Sequence, residues 1–198
     1  MAWRGEPTLR AAALRLAQRW QTLAATNRED ILGIAADVDR ATFDRLLAAM
    51  PTEHNPELRL DLLSALSQVT AEPQLRQVLA LTFDPRLDRR EARELLFAGR
   101  EPAQQEVVDG FFRAHVAELQ ARFPDGGLGE VGVFASSFLR GCDATRREDA
   151  LAFVRAHFGN RLGAERAIAS ALDRMDRCIA ARALLGPKLA AWLARRTR

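Results

Sequence analysis

The chain has 198 residues, of which 48% are hydrophobic, so it can bury a real core as one large domain or two small ones and is not a disordered segment. Its 29 basic and 26 acidic residues interleave and leave a net charge of only +3, which argues against a phosphate-binding face for nucleic acid. Charges follow the first residues closely and no run approaches the roughly 20 apolar residues of a membrane span, so we expect a cytoplasmic protein without a membrane partner. We also expect a bacterial source.

Apolar residues recur at helical spacing almost throughout the chain, and no segment alternates as a strand would. Capping residues and prolines divide this pattern into segments, because a cap satisfies free backbone N–H groups and proline is tolerated in a first turn. The predicted helices begin near Leu9, Asn27, Asp39, Leu58, Pro73, Glu91, Pro102, Val131, Asp143 and Gly163.

Two interruptions are predicted from glycine and proline. Residues 124–127 read PDGG and form the clearest loop, directly after a long helix that begins at Pro102. Gly186 and Pro187 are predicted to break the last helical segment, which would then resume as a short terminal helix ending in Trp-Leu.

About 10 to 11 helices joined by turns of a few residues are typical of consecutive antiparallel hairpins. Such hairpins stack into a right-handed α-α superhelix of the HEAT or armadillo type, with a concave inner surface. The sequence similarity between successive hairpins is poor, so we expect an irregular array; a compact helical bundle is the alternative. We treat residues 1–198 as a single helical domain.

The catalytic signatures that we sought are missing. A zinc peptidase needs two histidines one helical turn apart with a carboxylate between them, and none of His54, His115 and His157 fits that spacing. His115 and Glu118 could form half of a metal site, but without a third ligand they are better interpreted as a solvated helical pair. We therefore predict no catalytic residue, no metal ligand and no cofactor in this chain.

Other nucleophiles and loops also favour structural interpretations. Ser136 and Ser137 lack the glycines of a nucleophile elbow and are interpreted as small residues at a helix contact. Cys142 and Cys178 lie in apolar helical patterns, so we expect small buried thiols and no disulfide. Gly126, Gly127 and Gly129 follow a helix, not a strand, which argues against a phosphate-binding loop.

Arginines are the remaining functional candidates, because a guanidinium on an inward helix face can bind a peptide carboxylate with two parallel hydrogen bonds. Arg59 lies near a predicted hairpin tip, and Arg182 lies between the small residues Ala181 and Ala183. We consider both as peptide-binding residues. An ordinary ion pair is the competing interpretation for each.

Several stretches together resemble the C-terminal domain of the aminopeptidase N family, which includes the endoplasmic-reticulum aminopeptidases. Residues 59–66 read RLDLLSAL, similar to a motif of Arg, two residues, Leu-Leu, one residue and Ala-Leu in that domain. Residues 79–84, 102–123 and 163–193 are similar to the helices that follow, and the resemblance covers nearly the whole chain. The chain departs from the family where Phe111 and Ala181 occupy common tryptophan positions.

The resemblance implies the C-terminal portion of a longer aminopeptidase. In that family this domain is a bowl of antiparallel helices that closes over a separate zinc-containing catalytic domain and limits which peptides enter. The implied partners are therefore the catalytic zinc-peptidase domain of the same polypeptide and a peptide substrate, and the zinc belongs to that other domain. The alternative is a free-standing helical-repeat adaptor that binds a protein segment in its groove. An independent helical enzyme is a third possibility, for which no group of residues was found.

Overall fold

The computed structural model describes residues 5–99, 101–124 and 130–196. Over these residues the chain forms eleven α-helices and four short 3-10 turns and has no strand, which confirms the all-α class predicted from the sequence. The backbone contacts divide the chain into two compact units, Met1–Arg122 and Phe123–Arg198. The predicted loop glycines at 126, 127 and 129 lie outside the described residues.

The first unit is built from short helices separated by tight turns. Asp39 caps one of them, as the sequence predicted: the Asp39 carboxylate accepts from the Thr42 N–H at 2.7 Å. Asn55, which was not predicted as a cap, caps another by accepting from two N–H groups. The helices of this unit that the structure describes are α1 (Pro7–Ala17), α2 (Ala25–Val38), α3 (Arg40–Ala49), α4 (Pro56–Leu66), α5 (Glu72–Ala80), α6 (Arg89–Glu94), α7 (Pro102–Ala114) and α8 (Val116–Arg122).

Helix α4 lies at the centre of the first unit, in contact with α2, α3 and α6. Its apolar side chains Leu62, Leu63 and Leu66 are buried, as the sequence pattern predicted. An ion pair reinforces the contact with α2: Arg28 donates to the Asp61 carboxylate at 2.5 Å, and the two side chains are only 8% and 19% exposed. Arg28 also donates to the Leu23 carbonyl, so its charge is fully engaged.

The second unit contains three described helices, α9 (Glu130–Phe138), α10 (Ala144–Phe158) and α11 (Ala164–Arg196), each in contact with the other two. Phenylalanines fill the space between them. The Phe134 and Phe158 rings stack with centroids 4.4 Å apart, and Phe123 meets Phe134 edge-on at 5.8 Å. Asp143 caps α10 by accepting from the Thr145 N–H, as the sequence indicated.

Three boundary predictions were wrong. Helix α2 begins at Ala25, so Asn27 lies inside its first turn and is not its cap. The long helix expected from Pro102 ends at Ala114 because the backbone leaves helical geometry at His115, whose Nδ1–H donates to the Phe111 carbonyl at 2.8 Å. The backbone N–H of His115 donates to the same carbonyl at 3.2 Å, and α8 begins at the next residue.

The predicted break at Gly186 and Pro187 was also wrong, because α11 is one continuous helix of 33 residues with Pro187 inside it. Proline removes one backbone N–H and crowds the preceding turn. Alanine and leucine, which strongly favour helix, stand on both sides of it and outweigh this local penalty.

The Arg28–Asp61 ion pair generates a stability prediction. Asp61→Ala should lower the free energy of unfolding by about 3 to 5 kcal/mol, because it leaves the Arg28 charge buried without its partner. Asp44→Ala is the matched control, since Asp44 also pairs with an arginine, Arg40, but on an exposed surface. It should change stability little. Urea denaturation would measure both, and equal effects would contradict the role given to the buried pair.

Candidate functional site

Arg59 on α4 is held by groups of its own chain. Its Nε and Nη2 atoms donate to the two carboxylate oxygens of Glu91 on α6 at 2.8 and 2.6 Å. The carbonyls of Glu53 and Arg86 accept two further bonds, at 3.2 and 3.1 Å. Only 15% of the Arg59 side chain is exposed. Four of the five guanidinium N–H groups are thus used inside the fold.

The surroundings of Arg59 are rich in charge, which stabilises its ionised form. The hydrogen bonds that Arg59 donates to Glu91 raise the pKa of Arg59 above its usual value, and the charges of Asp88 and Asp84 add to this effect. Glu91 has a second task, because its carboxylate accepts from the Asp88 N–H and completes the cap of α6. One carboxylate therefore joins a helix start to the neighbouring helix.

The turn between the short helices α5 and α6 is organised by the same kind of contact. Hydrogen bonds from Arg86 lower the pKa of the Asp84 carboxyl, and the nearby charge of Arg122 lowers it further. Arg122 on α8 donates to the carbonyls of Thr82, Asp84 and Leu87. Its guanidinium therefore satisfies backbone carbonyls of this turn.

A surface cavity of about 210 Å³ lies on the first unit beside α4. This volume is below the range of small-molecule pockets but is large enough for one apolar side chain. Leu60 and Phe97, which are 50% and 41% exposed, are its accessible apolar residues, and Glu94 supplies a carboxylate. The complete lining is Leu60, Leu63, Ser64, Ser67, Glu94, Leu95, Phe97 and Gly99.

Sequence reasoning did not find this cavity. Leu60 lies in the RLDLLSAL stretch beside the buried Leu62 and Leu63. Composition does not distinguish these three leucines, because the exposure of Leu60 follows from the register of α4. Gly99 has a φ of 78°, and a Cβ atom there would come within 2.9 Å of the Gln104 side chain. Gly99 is therefore the sequence signal that could have indicated this cavity, because it marks a turn that few other residues could form.

Arg182, the second candidate, is exposed on α11. Its Nη1 donates weakly, at 3.4 Å, to the backbone carbonyl of Cys142. The bonds from Thr145 lower the pKa of the Asp143 carboxyl, and the charge of Arg182 contributes to the same shift. Unlike Arg59, Arg182 therefore presents much of its guanidinium to solvent. The two candidates lie in different units.

The prediction for the cysteines was wrong, because Cys142 and Cys178 form a disulfide with Cα atoms 5.0 Å apart. Neither residue is fully buried. They are 36 residues apart in the chain, and helical periodicity says nothing about contacts at that distance. The bond ties α11 to the turn that precedes α10.

The remaining polar candidates have structural partners. Ser136 accepts a hydrogen bond from Arg174 of α11 at 2.7 Å, and Ser137 donates to the Phe134 carbonyl, which confirms their assignment to a helix contact. His115 stacks on Phe111 with ring centroids 4.4 Å apart. Within residues 5–99, 101–124 and 130–196, no three His, Cys, Asp or Glu side chains gather as metal ligands would, so these residues do not fit a zinc site. No helix in the same ranges is both long and apolar enough to span a bilayer.

Comparison with known proteins gives one clear match. The family model described as the ERAP1-like C-terminal domain matches residues 1–177, which is most of the chain. A comparison with curated protein sequences returns no match.

The contrast between the two arginines is testable. Arg59→Met should lower the free energy of unfolding by about 3 kcal/mol, because it strands the half-buried Glu91 carboxylate. Arg182→Met should leave stability nearly unchanged, since Arg182 is exposed. Thermal denaturation of both variants makes the comparison. An equal loss for both would contradict the structural role assigned to Arg59.

The disulfide predicts a covalent link in the purified protein. Peptide mapping, with free thiols alkylated before any reductant is added, should recover Cys142 and Cys178 as one linked pair. Reduction should then lower stability by about 3 to 4 kcal/mol, the value for a closed loop of this length. A Cys142→Ser variant is the control, because its stability should not respond to reductant. Recovery of two alkylated thiols would contradict the link.

Proposed function

Because the chain belongs to the ERAP1-like C-terminal domain family, we propose that it is the non-catalytic C-terminal domain of a zinc aminopeptidase and controls which peptides reach the active site. The family match over residues 1–177 is the observation that carries this proposal. It makes the chain a C-terminal domain of an aminopeptidase and implies an aminopeptidase catalytic domain as its partner. Capping of the active-site cavity is the further step that we propose.

The proposed contribution of this chain is positioning and exclusion. Zinc, bound in the catalytic domain, would supply the activated water for peptide hydrolysis. A packed helical unit placed over that site would exclude bulk water and hold the far end of the peptide, as closing lids do in other enzymes. The rigid, ion-paired α4 of the first unit suits such a task, since a lid must keep its shape when it closes.

The cavity beside α4 is the surface that we propose for the peptide. Leu60 and Phe97 offer an apolar wall, and the cavity takes the volume of a single side chain. The Glu94 carboxylate at its edge would favour a basic group nearby. We propose that a side chain of the peptide, distant from the bond that is cleaved, binds here and so links peptide length to turnover.

Of the two arginines, we propose Arg182 as the residue that can bind a peptide carboxylate. It is exposed, whereas the guanidinium of Arg59 already holds Glu91 and two carbonyls. Arg59 would then act indirectly, by fixing α4 and the cavity next to it. Both arginines thus contribute to peptide binding in this proposal, Arg182 directly and Arg59 through the position of α4.

A cytoplasmic location, a bacterial source and peptide binding remain predictions. The Cys142–Cys178 disulfide bears on the first of them, because disulfides form and persist mainly in oxidising compartments. If the bond is recovered from cells lysed with alkylating reagent, a periplasmic or secreted location is favoured over the cytoplasm.

Peptide-length dependence tests the proposed role of the cavity. In the assembled aminopeptidase, the double variant Leu60→Asp with Phe97→Asp should reduce kcat/KM for long peptides by about tenfold, the usual effect of a misfit in an apolar pocket. Turnover of a single amino-acid amide should be unchanged, since it does not reach the cavity.

Leu9→Asp is the matched control, because Leu9 is equally exposed, at 47%, but lies on α1 and outside the cavity. It should leave both activities unchanged. If the double variant and the control behave alike on peptides of every length, the cavity does not bind substrate. If both variants lose activity on the single amino-acid amide, the effect is one of folding and the proposed role of the cavity is rejected.

A further inference from the structure

One stripe of residues runs along the whole of α11. Its members are spaced alternately by four and three positions, the heptad spacing with which a helix packs continuously against neighbouring helices. The stripe consists of Ala164, Ile168, Ala171, Met175, Cys178, Arg182, Leu185, Leu189, Trp192 and Arg196.

The first part of this stripe is covered by the protein itself. Ala164, Ile168, Ala171 and Met175 are at most 5% exposed, and α11 contacts α9 and α10. Cys178 comes next and is tied to the turn before α10 by the disulfide. The helix is thus anchored up to the middle of its length.

Three large apolar residues in the second part of the stripe are exposed to solvent. Leu185, Leu189 and Trp192 are 56%, 57% and 42% exposed. They stand at i, i+4 and i+7, the spacing of the anchor residues that a helix inserts into a groove. A free helix of this length is marginal in water and Pro187 weakens it further, so a partner that covers this face would stabilise it.

The charges of this segment limit what the partner can be. After Asp176 the sequence contains no acidic residue, whereas Arg182 and Arg196 stand on the stripe at either end of the exposed apolar residues. The Arg196 guanidinium lies over the Trp192 ring, 4.2 Å from its centroid. An apolar surface with a carboxylate beside Arg196 would complement this arrangement, and Arg182 at the other end stays available to a peptide carboxylate.

Two other occupants fit the same residues less well. In an antiparallel pair of two copies centred on Leu189, Arg182 of one copy would meet Arg196 of the other, and like charges would repel. A helix that lies in a membrane surface carries its charges opposite its apolar face, but here that opposite face holds Ala183, Pro187 and Ala190. The charge pattern therefore favours a groove on another protein surface.

We propose that Leu185, Leu189 and Trp192 of α11 dock into an apolar groove, with a carboxylate at the Arg196 end, on the catalytic part of the aminopeptidase. This inference rests on the proposed function, because the family supplies the catalytic part as a partner. The exposed segment of α11 then anchors this chain to the catalytic part. It is distinct from the cavity beside α4, which lies in the first unit.

Hydrogen exchange of residues 180–196 tests the proposal. In the isolated chain these backbone amides should exchange rapidly, and in the assembled aminopeptidase at least about tenfold more slowly, because docking covers the helix. The double variant Leu185→Asp with Leu189→Asp should remove that protection. Ala183→Asp with Ala190→Asp adds the same charges to the opposite face and should retain it.

Each competing occupant has its own result. Sedimentation of the isolated chain as a dimer, with residues 180–196 already protected, would assign the face to a second copy and overturn the proposal. Binding of the isolated chain to vesicles of equal phosphatidylserine and phosphatidylcholine, lost in the leucine variant alone, would assign it to a membrane and also overturn it. Equal protection of residues 180–196 in the two double aspartate variants would also overturn the proposal.

The proposed function can fail separately. If the leucine variant loses protection but peptide-length dependence is insensitive to the α4 cavity, the anchor stands and control of access by the cavity does not. If the cavity variant changes length dependence while exchange of residues 180–196 is the same in the isolated and assembled protein, control of access stands and the anchor is overturned.

Discussion

Helix α4 is held between two ion pairs on different sides, and the first unit depends on that constraint. Asp61 pairs with Arg28 of α2, while Arg59, two residues earlier, pairs with Glu91 of α6. Between these contacts the helix buries its leucines. Charges taken out of water must be paired with good geometry, so the pairs restrict where α2 and α6 can lie against α4. Apolar packing alone would not restrict the positions of these helices in this way.

The same constraint decides what the surface of α4 can do. With Arg59 occupied by Glu91, the helix offers a ligand its exposed Leu60 and not a free guanidinium. The cavity next to it is bounded by residues whose backbone is fixed by the α6 cap and by the turn at Gly99. A shape selected by such contacts suits recognition of an apolar side chain. It is less suited to capture of a carboxylate, which was the role expected for Arg59.

The sequence predicted well those features that depend on neighbours in the chain. The cap Asp39 and the prolines at helix starts act within one turn, so their positions could be inferred from local pattern. The partners of Arg28 and Arg59 lie 33 and 32 residues away, and no local signal pairs one arginine with one carboxylate among the 28 arginines of this chain. The disulfide was missed for the same reason.

Other errors came from competition between local effects. A helix ends before His115, whose ring donates to the Phe111 carbonyl, and Pro187 fails to end one because helix-forming residues surround it. Family resemblance carried more information than any single residue: residues 59–66 and the closing segment indicate the aminopeptidase family from the sequence alone, and the family match confirms that assignment. Which helix face meets a partner is a different kind of question. It depends on exposure, and exposure is a property of the fold.

We propose above all that this chain is part of an aminopeptidase but does not contain its catalytic site. The most direct measurement is turnover of fluorogenic amino-acid amides by purified residues 1–198, with zinc content determined on the same chelator-washed sample. For a non-catalytic domain we expect no turnover and far less than one zinc per chain. Metal-dependent turnover with stoichiometric zinc would contradict it, because an active site would then lie within this chain.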